Sequence, residues 1–591
     1  MSIYSLVKQY EDNFLNNSIK IVDGYNFDQL ETIKNNQRYY AGKFRNGNED
    51  EFGYKYFQNT IKPKVKNVAK NIDLDTKDVN IKATKPEDYY KAWLMRRDTV
   101  LWMKKHKIGK MFNESSIKTP KYGTFVVKKV NSKEIIRSVN LKNIKCDATS
   151  ECLDLSGWII EDHYYTPSEL KKEVERGWDK DNIDKAIKSY RVNQKENYDD
   201  NYSEANQKGN AQYIHIKEFY GDVPENIIDG GNENIFKLYN FIIISPENEI
   251  DNITKEKKDG LILYKKPIKS IGEIYKEVHY DREEGRWLGI GIVEDLIDMQ
   301  IMKNEEINQV MLSIRLANLV LFQTRDETIS RNILTDLING DIVKVKSEIT
   351  RINTQNVGLN QNQYLTQEIE KTINDLANFY EITTGESLPS GTPFALGALI
   401  NQNANKFFDF IRENLGIFWQ EVFEEWIIPE LSEDLNKKHL LEITGKEEME
   451  WVNKQMQKSL IWETIKNFLM AGKIPTVQDI ELVEGVLNER NQEKESFFID
   501  TPDDFYNFEK SVSVDFTDER GNKNQLLQTL STILQMLGTN PLLIDHPILQ
   551  KILDLSGLSS IDVSQKQVEQ QPQNPQIPQN SQVNRMQMQN V

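Results

Sequence analysis

Gly285-Arg286-Trp287-Leu288-Gly289-Ile290-Gly291 opens the stretch that decides how this chain folds. Behind it, apolar side chains fall at Val293, Leu296, Ile297, Ile301, Ile307, Val310, Met311, Ile314 and Ala317. Steps of mostly three and four place them on one stripe and predict a helix from about Ile292 to Phe322. At ~1.5 Å per residue the rod runs roughly 45 Å, longer than one small core requires. Gln323 to Gln361 is mixed, and within it Gly340 to Lys346 alternates as a strand does. A second helix is predicted over about Gln363 to Thr383, with Leu365, Ile369, Ile373, Leu376 and Phe379 apolar. The pattern breaks at Thr384-Gly385-Glu386-Ser387-Leu388-Pro389-Ser390-Gly391-Thr392-Pro393, whose prolines and glycines end a helix. A third helix is expected from Phe394 to Ile428, stopped by Pro429 and rich in aromatics such as Phe408, Phe418, Trp419, Phe423 and Trp426.

Long helix, small mixed excursion, helix, uncharged Pro/Gly loop, long aromatic helix: that order resembles the core of portal proteins, the head–tail connectors of tailed double-stranded-DNA phages. Two passages carry the likeness. One is Gly289-Ile290-Gly291-Ile292-Val293-Glu294 feeding a helix with Asp298, Gln300, Asn304 and Asn308; the other is the Thr384-Gly385, Ser390-Gly391, Ala395-Leu396 run. The whole chain looks most like portals of crAss-like phages. The resemblance implies an α+β, mainly helical fold of wing, stem, clip, tunnel loop and crown, assembled as a ring. It makes residues 1–288 the wing, helical first and then β-rich. Residues 289–322 become the first stem helix, 323–361 the clip, 362–385 the second stem helix and 386–394 the tunnel loop. Residues 395–516 supply the tunnel-side helix and the rest of the wing, 517–562 the crown, and 563–591 a disordered tail rich in Gln, Pro and Asn.

The same resemblance implies a structural protein and not an enzyme. It would form a ring of typically twelve copies at one vertex of the capsid, built in the host cytoplasm and carried in the virion. Its partners would be the major capsid protein, the terminase motor during packaging, tail adaptors afterwards, and double-stranded DNA passing without sequence preference. Leu388, Pro389, Ser390, Gly391, Thr392, Pro393 and Phe394 would line the tunnel. Clip residues Arg325, Arg331, Lys344, Lys346 and Arg351 would meet DNA or an adaptor, with a solvated or subunit-bridging role the other reading. No catalytic residue, metal or cofactor is expected. The competing expectation is a helical scaffold or adaptor that assembles through coiled-coil contacts and never touches DNA.

Bulk chemistry is compatible with this. The chain has 591 residues, room for two to four modules, and a formal net charge of −17. Carboxylates outnumber Lys and Arg by 91 to 74, so the whole surface cannot grip phosphates, whereas a mildly repulsive wall lets a polyanion slide. Cys146 and Cys152 are the only cysteines, too few for a disulfide scaffold or a zinc site. The first residues carry no apolar signal segment, and Glu294, Asp295, Asp298, Lys303, Glu305, Glu306 and Arg315 keep the long helix out of lipid.

In the N-terminal half, Gly123 to Val127, Gly157 to Ile160, Tyr213 to Tyr220, Leu238 to Ile244 and Leu261 to Tyr264 read as strands. Thr166 and Glu169 form a capping box. Asp179 to Asn210 reads as a mobile surface segment, and the basic runs Lys62 to Lys70 and Lys104 to Lys110 as solvated faces. Glu161-Asp162-His163 is expected in a surface turn, since no nucleophile motif accompanies it. There is no Walker A sequence. Gly289-x-Gly291 fails as a dinucleotide fingerprint, because Glu294 would repel a pyrophosphate where the third glycine belongs.

Overall fold

In the computed structural model, Gly123 lies against the segment Gly289-Ile290-Gly291, and this crossing sets the direction in which the long helix leaves the sheets. The structure describes residues 2–192, 213–244, 260–317, 359–377, 394–433, 446–470 and 508–514, with brief gaps, and short pieces near 322–325, 346–351 and 476–485. Met1–Val514 form one compact unit; residues 515–591, which include the expected crown and tail, lie outside the described residues.

The helices that matter are α1 (Ile3–Asn16), α2 (Gln29–Ala41), α3 (Ile61–Asn71), α4 (Tyr89–His106), α5 (Ile108–Tyr122), α6 (Pro167–Lys172), α7 (Lys180–Val192), α8 (Ile292–Ala317), α9 (Leu359–Leu376) and α10 (Phe394–Val422). Among them run β1 (Ile19–Val22), β2 (Tyr25–Phe27), β3 (Glu49–Asp50), β4 (Gly53–Tyr54), β5 (Val79–Ala83), β6 (Thr124–Lys129), β7 (Ile136–Ser138), β8 (Ile144–Cys146), β9 (Trp158–Tyr165), β10 (Ile214–Pro224), β11 (Phe236–Ile244), β12 (Leu261–Pro267) and β13 (Tyr275–His279). The chain is thus mixed α/β with helix in excess.

A five-stranded antiparallel sheet, ordered β12-β11-β10-β9-β8, stands beside a three-stranded one, β13-β6-β7. One face of the larger sheet buries Ile160, Phe219, Phe241 and Ile243 under Tyr4, Leu6 and Val7 of α1. The opposite face packs Ile214, Ile216 and Ile242 against Leu170 of α6 and Ile183 and Ile187 of α7. The capping box stands as read: Thr166 accepts from the Glu169 backbone N–H, and the Glu169 carboxylate reaches back to the Thr166 N–H. Lys180–Val192, expected to be mobile surface, is helical, because Ile183, Ala186 and Ile187 share one apolar stripe against the sheet. Residues 193–210 of that stretch lie outside the described residues.

The glycines of the opening motif are explained by the crossing. A Cβ on Gly123 (φ +81°) would lie 2.0 Å from the Gly289 carbonyl oxygen, and one on Gly291 would lie 2.6 Å from the Gly123 nitrogen. Arg286 pins the same turn. Its buried guanidinium donates to the Leu288 carbonyl at 2.6 Å and to both oxygens of Glu294 at 2.7 and 3.0 Å, over the ring of Phe27. Glu294 is therefore taken up by an ion pair at the start of α8, where the helix dipole also favours it.

Helices α8 and α9 run antiparallel, linked by Lys303 to Glu370 (2.7 Å) and Thr366 to Glu306 (2.7 Å). The chain between them is paired near its two ends: Phe322–Gln323 (β14) bonds antiparallel to Thr350–Arg351 (β15). The buried face of α8 differs from the predicted stripe. Val293 and Leu296 are buried, but farther along it is Gln300, Lys303, Asn304 and Glu306 that face inward, while Ile314 is exposed. The cause is polar partners: α9 takes Lys303 and Glu306, and the backbone of residues 56–60 takes the amides. Gln300 accepts from Thr60 N–H at 3.0 Å and Asn304 from Gln58 N–H at 3.0 Å, and Asn308 both accepts from and donates to Tyr56 (2.8 and 2.9 Å). Residues four apart lie on one helix face, so the side-chain amides at 300, 304 and 308 serve every second peptide of that segment. Asn304→Leu would leave the half-buried Gln58 N–H without its acceptor. The expected loss is about 1–3 kcal/mol in urea denaturation, against a few tenths for an exposed change such as Gln309→Leu.

The third helix buries Phe408, Ile411, Leu415, Phe418, Trp419 and Val422 inside its own chain, with Trp419 edge-on to Phe112 at 4.7 Å and Phe418 edge-on to Phe125 at 6.1 Å. The aromatic stripe thus needs no neighbouring subunit to cover it. Nor does Pro429 stop the rod. A π-helical turn, Phe423–Ile427, leads into a further helical segment, α11 (Ile428–Glu433), with the proline at its second position. There the missing N–H is tolerated and the proline φ already suits a helix. Last in the described chain, β16 (Lys510–Val514) pairs antiparallel with β5.

Candidate functional site

The sequence-predicted site residues scatter over the edge of what is described. Leu388 to Pro393, Arg331 and Lys344 lie outside the described residues. Phe394 is the first residue of α10, Arg325 and Lys346 are exposed near the β14–β15 pair, and Arg351 is in β15. Around the helix pair, Met302, Ile314, Tyr364, Leu365 and Leu376 remain 45–67% exposed on α8 and α9.

The best-built polar site among the described residues lies on the larger sheet, where a turn was expected. Glu161, Asp162 and His163 sit in the middle of β9, paired with Glu218, Lys217 and Ile216 of β10. Charges survive mid-strand because successive side chains go to opposite faces, and each face supplies its own cation. On the α1 face, Lys145 meets Asp162 at 2.7 Å, and Glu11 bridges Lys145 and Lys217. On the other face, Lys128 of β6 reaches across from the smaller sheet. Its ammonium lies 2.8 Å from Glu161 and 2.5 Å from Glu218. Tyr275 donates to Glu161 at 2.6 Å, Tyr220 donates to Glu218, and His163 Nε2 lies 2.8 Å from Glu218.

This cluster floors a cleft of about 1040 Å³ whose walls include Arg137, Arg176, Trp178, Lys266 and Trp426. Burial alone would raise the Glu218 carboxyl; the Lys128 ammonium and the His163 hydrogen bond outweigh it and hold the group well below the usual carboxylate range. Glu161 is lowered in the same way against the same burial. Burial opposes the charge on Lys128, yet the two carboxylates push its pKa well above an ordinary lysine. Burial first, and then these carboxylates, keep the hydroxyls of Tyr220 and Tyr275 protonated.

Glu161, His163 and Glu218 each offer a ligand atom, all within 4.8 Å of one another. Two carboxylates and an imidazole would suit a divalent ion, but the Lys128 ammonium already bridges the two carboxylates, and an ion would have to displace it. The carboxylates are held ionised and fully engaged, which suits a clamp between two sheets better than proton transfer at neutral pH. The sequence did carry a signal for it. Ile159-Ile160 before and Tyr164-Tyr165 after are strand formers, and Lys217 of the neighbouring strand supplies a charge of opposite sign across from Asp162.

No family model matches the chain, and no curated protein matches it. No helix among the described residues is long and apolar enough to cross a membrane.

Proposed function

We propose that this chain is the repeating subunit of a portal ring. The ring would conduct double-stranded DNA at one capsid vertex, dock the terminase during packaging and receive tail adaptors afterwards. The observation that carries this reading is the antiparallel α8–α9 hairpin, with its excursion strand-paired near its two ends and exposed apolar side chains on both rods. A rod pair of this kind buries those side chains when identical copies stand side by side about an axis, and a head-to-tail contact closes into a ring when its rotation permits. The support is narrower than the apolar stripes alone would give, since α10 satisfies its aromatic face within the chain. It rests on Met302, Ile314, Tyr364, Leu365 and Leu376.

Native mass spectrometry and negative-stain images of the purified chain test this. Closed rings with a central hole, about twelve subunits by the resemblance, are expected. Leu365→Asp is expected to leave a folded monomer and abolish the ring, because one buried charge per interface exceeds what a shared apolar seam supplies. Dimers, bundles or filaments from the parent chain favour the scaffold or adaptor and overturn the portal. Deleting Ser390 to Phe394 should leave rings intact and impair packaging or retention of DNA; normal packaging by that mutant removes the tunnel-loop assignment.

A further inference from the structure

The cleft above Lys128 holds cations, rings and one acceptor that the fold itself leaves unanswered. Of the carboxylates that line it, Glu161 and Glu218 are taken by Lys128, Glu173 by Arg176 at 3.0 Å and Glu425 by Lys276 at 2.7 Å. Arg137 is likewise paired, with Glu134. Three lining cations differ. Lys129 of β6, Lys266 of β12 and Lys269 just beyond it form no ion pair among the described residues, and the last two are exposed. Against them stands one unpaired lining carboxylate among the described residues, Glu273. At the floor, the Asn240 amide nitrogen donates to Glu218 at 3.5 Å, while its buried carbonyl oxygen receives no donor. Folded proteins rarely leave such an acceptor empty unless water or a ligand supplies the donor. Trp178, edge-on to Tyr165 at 5.8 Å, gives one wall a ring. The π-helical turn Phe423–Ile427 brings Trp426 to another, with Lys276 over its ring at 5.6 Å. Single π turns recur at functional sites.

We infer that this cleft docks a short segment of a partner protein, acidic and carrying an aromatic or large apolar side chain. At about 1040 Å³ the cleft exceeds what one compact small molecule fills. A nucleotide would call for a glycine-rich turn to cradle its phosphates, and none of the described lining residues is glycine. A peptide brings all the missing chemistry at once. Its carboxylates answer Lys129, Lys266 and Lys269, its apolar side chain covers Trp178 and Trp426, and a backbone N–H can serve Asn240. The inference does not rest on the ring proposal, since every lining residue belongs to one chain.

The test is the fluorescence anisotropy of labelled octapeptides titrated with the full-length protein. A peptide alternating Glu and Phe is expected to bind. Peptides alternating Lys and Phe, or Glu and Ser, should bind at least about tenfold more weakly. Lys266→Glu/Lys269→Glu, at two exposed positions, should weaken the Glu–Phe peptide about tenfold. Lys105→Glu/Lys110→Glu changes the net charge equally on exposed lysines elsewhere and should alter affinity less than about twofold. Unchanged thermal unfolding of both variants is expected, so that a loss reads the cleft and not the fold. Equal binding of the Glu–Phe and Lys–Phe peptides overturns the inference. So does full affinity in Lys266→Glu/Lys269→Glu, or no binding of the Glu–Phe peptide up to about 1 mM. ATP binding that Lys266→Glu/Lys269→Glu abolishes, with no peptide bound, overturns the peptide in favour of a nucleotide. Rings from a parent chain that binds no peptide would remove this inference and leave the ring proposal standing.

Discussion

Gly123→Ala is expected to prevent folding or to destabilise the chain by more than about 4 kcal/mol, the range reached only when a well-defined structural requirement is broken. Two effects add. Gly123 has φ +81°, where an alanine loses roughly 1 kcal/mol. Its new Cβ would also lie 2.0 Å from the Gly289 oxygen and 2.4 Å from the Gly289 carbonyl carbon, both backbone atoms that no rotamer change can move. Gly177→Ala separates the two. Gly177 has φ +87° but nothing within 4 Å of the added methyl. It should therefore lose only about 1 kcal/mol. Thermal and urea unfolding of the two variants measure the difference. Similar small losses in both would mean that the two segments do not cross as closely as described.

Lys128→Met should destabilise the chain by about 3–5 kcal/mol at pH 7, because it leaves two buried carboxylates facing each other without their ammonium. The pH dependence carries the sharper test. In the parent, the lowered Glu161, Glu218 and Asp162 groups contribute stability that is present above about pH 4.5 and lost as pH falls below it. In the variant, only the His163 imidazole is left to oppose burial and the mutual repulsion of Glu161 and Glu218, so the pair's folded values are expected to rise above the unfolded ones. That sign is opposite: stability is present at low pH and lost as pH rises through the raised values. The gap between parent and variant should therefore narrow from pH 7 towards pH 5. Lys128→Met/Glu161→Gln/Glu218→Gln should recover most of the loss. A gap that is constant with pH would show that Lys128 acts through packing and not charge.

Local chemistry in the sequence predicted local structure well. Thr166 and Glu169 name a helix start, and Ile292 begins a helix where the apolar steps begin. Strands β6, β10, β11 and β12 fall where alternation and β-branched residues put them. Misreadings came where a distant partner decides. The inward face of α8 is amide-rich because the backbone of residues 56–60 lies against it, and periodicity of apolar residues cannot register a partner that wants hydrogen bonds. Glu161-Asp162-His163 reads as a surface turn because no nucleophile motif accompanies it; Lys128 and Lys145, which make a buried strand possible there, come from other strands. Pro429 looked like a terminator because a π turn before it is not written in composition. The aromatic stripe of α10 is covered by Phe112 and Phe125, which lie some three hundred residues earlier, a partner that local periodicity cannot name.

The pairing of β5 with β16 joins Val79–Ala83 to Lys510–Val514. On the ribosome, β5 emerges early and must wait for roughly 430 further residues, about 20–90 s at ordinary elongation rates. Through that interval its edge is open to any stray strand, a hazard that a chaperone or rapid local collapse must cover. The same delay acts as a length check: a nascent chain cut short anywhere before residue 510 lacks its closing strand and cannot pass for a finished one.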